Sequence, residues 1–232
     1  MQKNTSAALR RAGGALLFAA STLSAQAMED ESIYSTTRVE AGAAKVRGQS
    51  GSAATLGIDG WVGGDFNRLW YRLDAERRGG RTDAAELQLL YGCYIAPFWD
   101  AQIGLRRDER PGQRDYLALG VRGLAPYAFD VDLKLFVRDD GKVFARTRFK
   151  NDFLITNRFI VTPSVGAQWS ASDIDATVRR GVYQADLGVQ ARYAFNWRIA
   201  PYLGLSRTFY PRAQSGGETA ATQWRAGLRL LF

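Results

Sequence analysis

Apolar and polar residues alternate along most of the chain with a period of two. Between residues 129 and 137, apolar side chains at every second position alternate with charged ones, and Phe136 is the exception. The same alternation recurs in segments 69–76, 87–95 and 186–193. A strand places alternate side chains on opposite faces, whereas a helix would scatter the charges around its circumference. The pattern therefore predicts β-strands that each have one apolar and one polar face.

Short turns and longer polar loops follow one another between these strands. The short turns are Gly63-Gly64-Asp65, Ala96-Pro97, Ala125-Pro126, Thr156-Asn157 and Asn196-Trp197. The longer loops are Arg47–Ala53, Arg78–Asp83, Asp108–Gln113, Asp139–Lys142, Ser172–Arg180 and Pro211–Ala221. The intervening strands have about nine to thirteen residues, enough to cross a bilayer when tilted. We therefore predict an all-β fold, a transmembrane antiparallel β-barrel of about 12 strands with both termini periplasmic.

The C-terminal segment supports closure of such a barrel. Its apolar row is Trp224, Ala226, Leu228, Leu230 and Phe232. A closed barrel requires its last strand to pair with its first, and a terminal strand with an apolar face fits that requirement. A soluble periplasmic β domain is the alternative.

Three segments also place an aromatic residue directly after a proline near a turn. They are Ile95-Ala96-Pro97-Phe98, Leu124-Ala125-Pro126-Tyr127 and Ile199-Ala200-Pro201-Tyr202. Rings at one level around a barrel form an interfacial girdle. We expect these three aromatic residues to contribute to such a girdle at the periplasmic end.

The N-terminal residues have the features of a secretory signal. These are the basic residues Lys3, Arg10 and Arg11, an apolar stretch at 12–23, and the small-x-small pattern Ala25-Gln26-Ala27. The apolar stretch is shorter than the roughly 18 residues that a spanning helix needs. We predict a signal peptide at 1–27 and an outer-membrane β-barrel domain at 28–232.

Composition narrows the chemistry further. The chain has 31 Lys and Arg, 23 Asp and Glu, one Cys and no His. Without histidine there is no Ser–His or Cys–His nucleophile pair and no imidazole metal ligand. We therefore predict no enzymatic activity and assign no catalytic or cofactor-binding residue. Cys93 lies in an apolar row, which favours packing over catalysis.

Several segments resemble the copper resistance protein B family of outer-membrane proteins. They are residues 57–70 (GIDGWVGGDFNRLW), 84–91 (AAELQLLY), 95–100 (IAPFWD), 123–127 (GLAPY), 200–202 (APY) and the terminal Phe232. The resemblance implies a β-barrel in the outer membrane of a Gram-negative bacterium, with a role in copper homeostasis and resistance. It also implies copper as the ion concerned.

The sequence departs from the family in its copper ligands. Family members commonly carry a Met- and His-rich region before the barrel, thought to bind copper, and no such region is recognisable here. The chain has no His, and Met28 is its only Met besides Met1. Copper selects thioether and imidazole ligands, so the residues themselves assign no metal ligand. Alternatives to a copper-resistance barrel are a general small-solute channel, a structural barrel without a copper role, or a soluble periplasmic binding module.

The charged strand faces would line the lumen of the predicted barrel. The candidate lumen residues are Glu86, Asp100, Asp130, Asp132 and Asp186 with Arg72, Arg106, Arg122, Lys134, Arg146, Arg148, Arg192, Arg225 and Arg229. They could line a path for solutes, or they could pair across the lumen and fill it. One hypothesis is that Asp130 and Asp132 hold a cation weakly.

The charge distribution also bears on partners. Basic residues are spread over many strands and do not form one patch, so nucleic acid is not expected as a partner. We expect contacts with outer-membrane lipid and lipopolysaccharide. A periplasmic copper-handling protein is a further partner that the resemblance allows.

Overall fold

The computed structural model describes residues 32–110, 112–173, 178–211 and 219–232. The predicted signal peptide, 1–27, lies outside these residues. The strands are β1 (Tyr34–Val46), β2 (Ala53–Gly63), β3 (Asn67–Arg78), β4 (Arg81–Ala96), β5 (Trp99–Arg110), β6 (Arg114–Ala125), β7 (Phe129–Arg138), β8 (Val143–Asn151), β9 (Phe153–Leu154), β10 (Phe159–Ser170), β11 (Gly181–Tyr193), β12 (Ile199–Phe209) and β13 (Ala220–Leu231). Within the described ranges, no helix is long and apolar enough to cross a membrane.

The strands form one closed antiparallel barrel. Strands that follow one another along the chain are paired, except that β8 and β9 both pair with β10, and β13 returns to pair with β1. The seam continues to the terminal residue, because Thr37 and Phe232 each donate a backbone N–H to the other's carbonyl oxygen at 2.9 Å. Closure leaves no edge strand with unpaired backbone groups.

The short strand β9 belongs to the same barrel strand as β8. Lys150 of β8 lies opposite Ser164 of β10, and Leu154 of β9 lies opposite Ile160. These two pairs share one register, so β8 and β9 are a single strand interrupted at Asp152. The thirteen segments therefore make twelve barrel strands, and the predicted fold class is confirmed.

The two faces of the barrel differ as the alternation predicts. Leu87, Leu89 and Leu105 point outward and keep 49%, 52% and 66% of their surface exposed. Their strand neighbours Gln88 and Arg106 point inward. Cys93 lies in the same outward row of β4 and is half-buried. An exposed apolar band of this extent is not typical of a soluble monomer.

Two hairpins are longer than the sequence predicts. The loop expected at Arg78–Asp83 is a two-residue turn, because β3 continues to Arg78 and β4 begins at Arg81. The loop expected at Asp108–Gln113 is shortened too, since β5 runs to Arg110. Clusters of charge had suggested loops. Backbone pairing does not depend on side-chain polarity, so these hairpins extend beyond the apolar band.

The expected aromatic girdle forms at the turn end of the barrel, with one exception. Phe98 and Tyr127 follow their prolines at φ values of 67° and 64°, which makes a tight turn and leaves the rings 75% and 91% exposed. Other exposed rings at this end are Phe66, Phe129, Phe153, Phe159, Tyr193, Phe195, Trp197 and Phe232. Tyr202 does not join them. Pro201 lies within β12, so the next side chain points inward and is buried.

The seam between β1 and β13 depends on two facing glycines. Gly42 lies opposite Gly227, and a Cβ on Gly42 would stand 2.3 Å from the carbonyl oxygen of Ala226. A Cβ on Gly57 of β2 would meet nothing closer than an Asp74 carboxylate oxygen at 3.4 Å. Of Gly42 and Gly57, Gly42 alone lies where two backbones approach too closely for a side chain.

We predict that Gly42→Ala weakens the closed barrel while Gly57→Ala does not. Crowding at the seam should lower the free energy of unfolding by about 1–3 kcal/mol. The measurement is urea unfolding of the detergent-solubilised barrel followed by tryptophan fluorescence, alongside the heat-dependent shift in gel mobility. Equal stability of the two variants would contradict the role given to the glycine pair.

Candidate functional site

The centre of the lumen is held by one carboxylate that binds three arginines. Asp59 of β2 accepts hydrogen bonds from Arg72 at 2.9 and 3.0 Å, from Arg122 at 3.1 and 3.2 Å, and from Arg38 at 2.9 Å. Arg38 and Arg72 lie on the adjacent strands, whereas Arg122 reaches across from β6. Asp59 therefore ties opposite walls of the barrel together.

A second carboxylate extends this network. Asp132 of β7 accepts from Arg72 at 3.2 Å and from Lys134 at 2.5 Å. All three side chains are buried. Arg72 thus bridges Asp59 and Asp132, and the pairs form a continuous chain across the lumen. Removing one partner of such a chain leaves a buried charge uncompensated.

A separate cluster lies nearer the loop end. Glu86 of β4 forms a bidentate pair with Arg146 at 2.8 and 3.0 Å and also contacts Arg106 at 2.9 Å. The guanidinium of Arg106 stacks over the rings of Tyr116 and Phe136, 4.9 and 4.6 Å from their centres. Arg106 therefore connects the charged cluster to an apolar one.

That apolar cluster fills part of the lumen. It consists of the buried residues Leu90, Tyr116, Ala118 and Phe136, with Trp70 and Phe144 packed against it. The prediction of a charged lumen did not include these residues. Phe136 was the one apolar exception in the polar row of its strand, and that exception was the available signal. Gly92 leaves room for the indole of Trp70, since a Cβ there would stand 2.7 Å from the ring nitrogen.

The structure places the candidate lumen residues on the inward face of their strands, where some form ion pairs and others only hydrogen bonds to neutral groups. Glu86 pairs with Arg146, Asp132 with Arg72, and Asp100 with Arg68 at 3.0 Å. The remaining contacts are Asp130 with Arg122 at 4.0 Å, Arg192 with Asp152, Arg229 with Glu40, Asp186 with Gln184 and Thr208, and Arg225 with Gln223. Within the described residues, Arg148 has no ion pair or hydrogen bond.

Several inward-facing groups were missing from the sequence-based set. They are Arg38, Glu40, Asp59, Arg68, Lys150 and Asp152. The sequence carried a signal for two of them, because Arg38 and Glu40 stand at alternate positions of the first strand. Asp59 stands within the segment 57–70, where no local pattern distinguishes it from its neighbours. Its central role depends on Arg122, which is 63 residues away in sequence and meets it only in the closed barrel.

The described side chains enclose several spaces in the lumen, of which three bear on the site. A cavity of about 610 Å³ occupies the turn end and is bordered by turn residues such as Asp65, Phe98 and Ala128. A cavity of about 140 Å³ lies near the loop end, around Arg106 and Tyr183. Between them is a gap of about 10 Å³, lined by Arg38, Arg72, Arg122, Asp130, Asp132, Arg148 and Lys150. Such a gap has room for about one water molecule.

The inward carboxylates are not arranged as a metal site. In the part of the chain that the structure describes, no three His, Cys, Asp or Glu residues come together to hold an ion. Asp132 is occupied by Arg72 and Lys134, and Asp130 lies within 4.0 Å of Arg122. A cation at Asp130 and Asp132 would have to displace these basic groups. What the lumen offers chemically is an enclosed, positively charged surface.

We predict that Asp59→Asn destabilises the barrel by about 3 kcal/mol, because three arginines lose their shared carboxylate. Asp186→Asn is the matched control. Among the described residues, Asp186 accepts only from the neutral side chains of Gln184 and Thr208, so its loss should cost about 1 kcal/mol. Urea unfolding in detergent measures both. Similar losses would show that Asp59 does not have the central role.

Comparison with known proteins agrees with this architecture. Residues 36–232 match the family model described as copper resistance protein B precursor (CopB). Copper resistance protein B of Escherichia coli is 39% identical over 183 residues, which cover 75% of this chain and 62% of that protein. The homolog of Pseudomonas syringae pv. tomato is 33% identical over 190 residues, covering 78% and 65%. The chain thus spans less than two thirds of the length of either relative.

Solved structures show the same fold at low sequence identity. The NanC porin superposes with a TM-score of 0.58 at 11% identity, over 84% of this chain and 98% of that one. The KdgM porin has a TM-score of 0.54, also at 11% identity, over 84% and 99%. These likenesses concern the barrel alone. The family model covers nearly all of the barrel, and the chain therefore belongs to the copper resistance protein B family.

Proposed function

We propose that this chain is an outer-membrane β-barrel of a Gram-negative bacterium that contributes to copper resistance. The observation that carries the proposal is the family match, which extends over residues 36–232 and therefore over almost every strand. Both relatives are named for copper resistance. The matched region is only 62% and 65% of these relatives. The copper role is therefore inferred for this chain from longer proteins.

The exterior supports placement in a membrane. Leucines such as Leu87, Leu89 and Leu105 are exposed on the outer face, and aromatic rings including Phe98 and Tyr127 gather at the turn end. In a lipid bilayer this surface would be buried against acyl chains, with the rings at the interface. The turn end would then face the periplasm and the longer hairpins would face outward.

The loop end supports contact with anionic lipopolysaccharide. Exposed basic residues there include Arg47, Arg77, Arg81, Arg110, Arg179 and Arg180. Guanidinium groups bind phosphate strongly and often in a bidentate manner. A periplasmic copper-handling protein would instead meet the turn end, where the larger cavity opens.

The role that we propose is not catalytic. The chain has no histidine, and the inward carboxylates Asp59, Asp132 and Glu86 are engaged by arginines or lysine. A carboxylate held in this way by a cation is a poor proton acceptor. The ion pairs instead make a stable, narrow lumen that limits what passes.

We predict that deleting the gene lowers the copper concentration at which growth stops, with little change towards zinc or large antibiotics. A plasmid copy should restore copper tolerance. Growth inhibition assays on the deletion, complemented and parent strains measure this. Equal sensitisation to all the compounds would contradict the copper role and would favour a general small-solute channel. No change towards any of them would favour a structural barrel.

Membrane placement is tested separately. The chain should enter the outer-membrane fraction, require detergent for extraction, and migrate faster on gels before heating than after it. Recovery in the soluble periplasmic fraction would contradict the placement, whatever the copper phenotype.

A further inference from the structure

The inward face of β8 carries three successive basic residues, of which only the first is held in a close ion pair among the described residues. Arg146 is bound by Glu86. Arg148 and Lys150 follow at alternate positions and point into the constricted middle of the lumen. Among the described residues, neither forms an ion pair or a hydrogen bond. Both side chains are half-buried. Enclosing a cation without a close ion pair is costly, so these two groups differ from the paired network around them.

The nearest strand does not supply the missing charges. Asp132 lies opposite Arg148 on β7, but it binds Arg72 and Lys134. Asp130 lies opposite Lys150, and its closest basic group is Arg122 at 4.0 Å. The wall of the constriction therefore contains five basic side chains and two carboxylates, both of which already face a cation.

Lys150 also borders the cavity at the turn end. Asn151, Thr162 and Gln190 border the same cavity. The Thr162 hydroxyl is engaged by Asp152 and Arg192, whereas the amides of Asn151 and Gln190 are each bonded through one atom, to Tyr127 and Arg229, and can still donate to a ligand. Four carboxylates border this cavity together with five basic side chains. Asp100 pairs with Arg68 and Asp152 with Arg192, and Asp130 lies 4.0 Å from Arg122. At about 610 Å³, the cavity has the size of a site for a small organic molecule.

We infer that this cavity binds a small multivalent oxyanion, with its charged oxygens directed at Lys150, where the cavity meets the constriction that Arg148 lines. Lys150 would bind an organic polycarboxylate or a phosphate directly, Arg148 would add attraction from the constriction, and the amide groups of the wall would bind the remaining polar atoms. The constriction beyond would stop the anion from passing freely. The inference rests on unpaired charge and cavity shape, and it does not depend on a copper role.

The test is titration calorimetry on the purified full-length barrel in detergent at low ionic strength. Citrate is the organic probe, inorganic phosphate the second, and glucose the uncharged control. Wild-type protein should bind citrate saturably at one site, phosphate should compete for that site, and glucose should not bind. Added sodium chloride should weaken binding, because the attraction is largely electrostatic.

Variants distinguish a specific citrate site from a general attraction of citrate to the positively charged lumen. Lys150→Gln combined with Arg148→Gln should weaken citrate binding by about tenfold or more, equivalent to at least about 1.4 kcal/mol. Arg225→Gln removes a cation from the same inner surface, where Arg225 is exposed and bonded to Gln223, and should change binding less than twofold. Lys150→Arg should retain binding. Gel mobility before heating confirms that each variant is folded, and single Lys150→Gln replaces the double variant if that one does not fold.

Three results would overturn the inference. They are no saturable citrate binding by the wild-type barrel, unchanged binding in the folded Lys150→Gln variant, and equal weakening by Arg225→Gln. The last would mean that citrate responds only to the overall charge of the lumen. Binding of citrate without competition by phosphate would limit the site to organic carboxylates, in support of the inference.

Discussion

Closure of the last strand onto the first is the constraint on which the rest of the molecule depends. Once β13 pairs with β1, each described strand of the ring has a hydrogen-bonded neighbour on both sides, and the face on which each residue lies is fixed by its position along the strand. A shift of one residue would turn leucines inward and arginines outward. The facing glycines Gly42 and Gly227 matter because they let the two strands approach at this seam.

The lumen then has to accommodate the charge that closure encloses. Asp59 and Asp132 are linked through Arg72, and Glu86 holds two further arginines nearer the loop end. Strong pairs of this kind draw opposite walls together and favour a filled interior over a wide pore. On one side the filling is apolar, since Phe136 and Tyr116 pack beneath Arg106. The interior is therefore closer to a protein core with two cavities than to a water-filled channel.

The alternation of residues along the chain was enough to predict the barrel, its strand number and its charged interior, because each of these depends on local periodicity. It was not enough for features that depend on which strands face each other. The three arginines around Asp59 come from β1, β3 and β6, and no local pattern relates them. Tyr202 shows the same limit. Its motif matches those of Phe98 and Tyr127, yet its proline lies inside a strand and not in a turn, so the ring is buried.

The surplus of positive charge in the constriction determines which charged forms of a metal ion can approach it. A free divalent copper ion approaching Arg38, Arg148 and Lys150 is repelled, and the repulsion is strong where water is scarce. The same metal wrapped in an excess of carboxylate ligands carries negative charge and is attracted. A barrel with this interior would therefore respond to the net charge of a metal complex and not to the identity of the ion. Selection of that kind requires no thioether or imidazole on the protein.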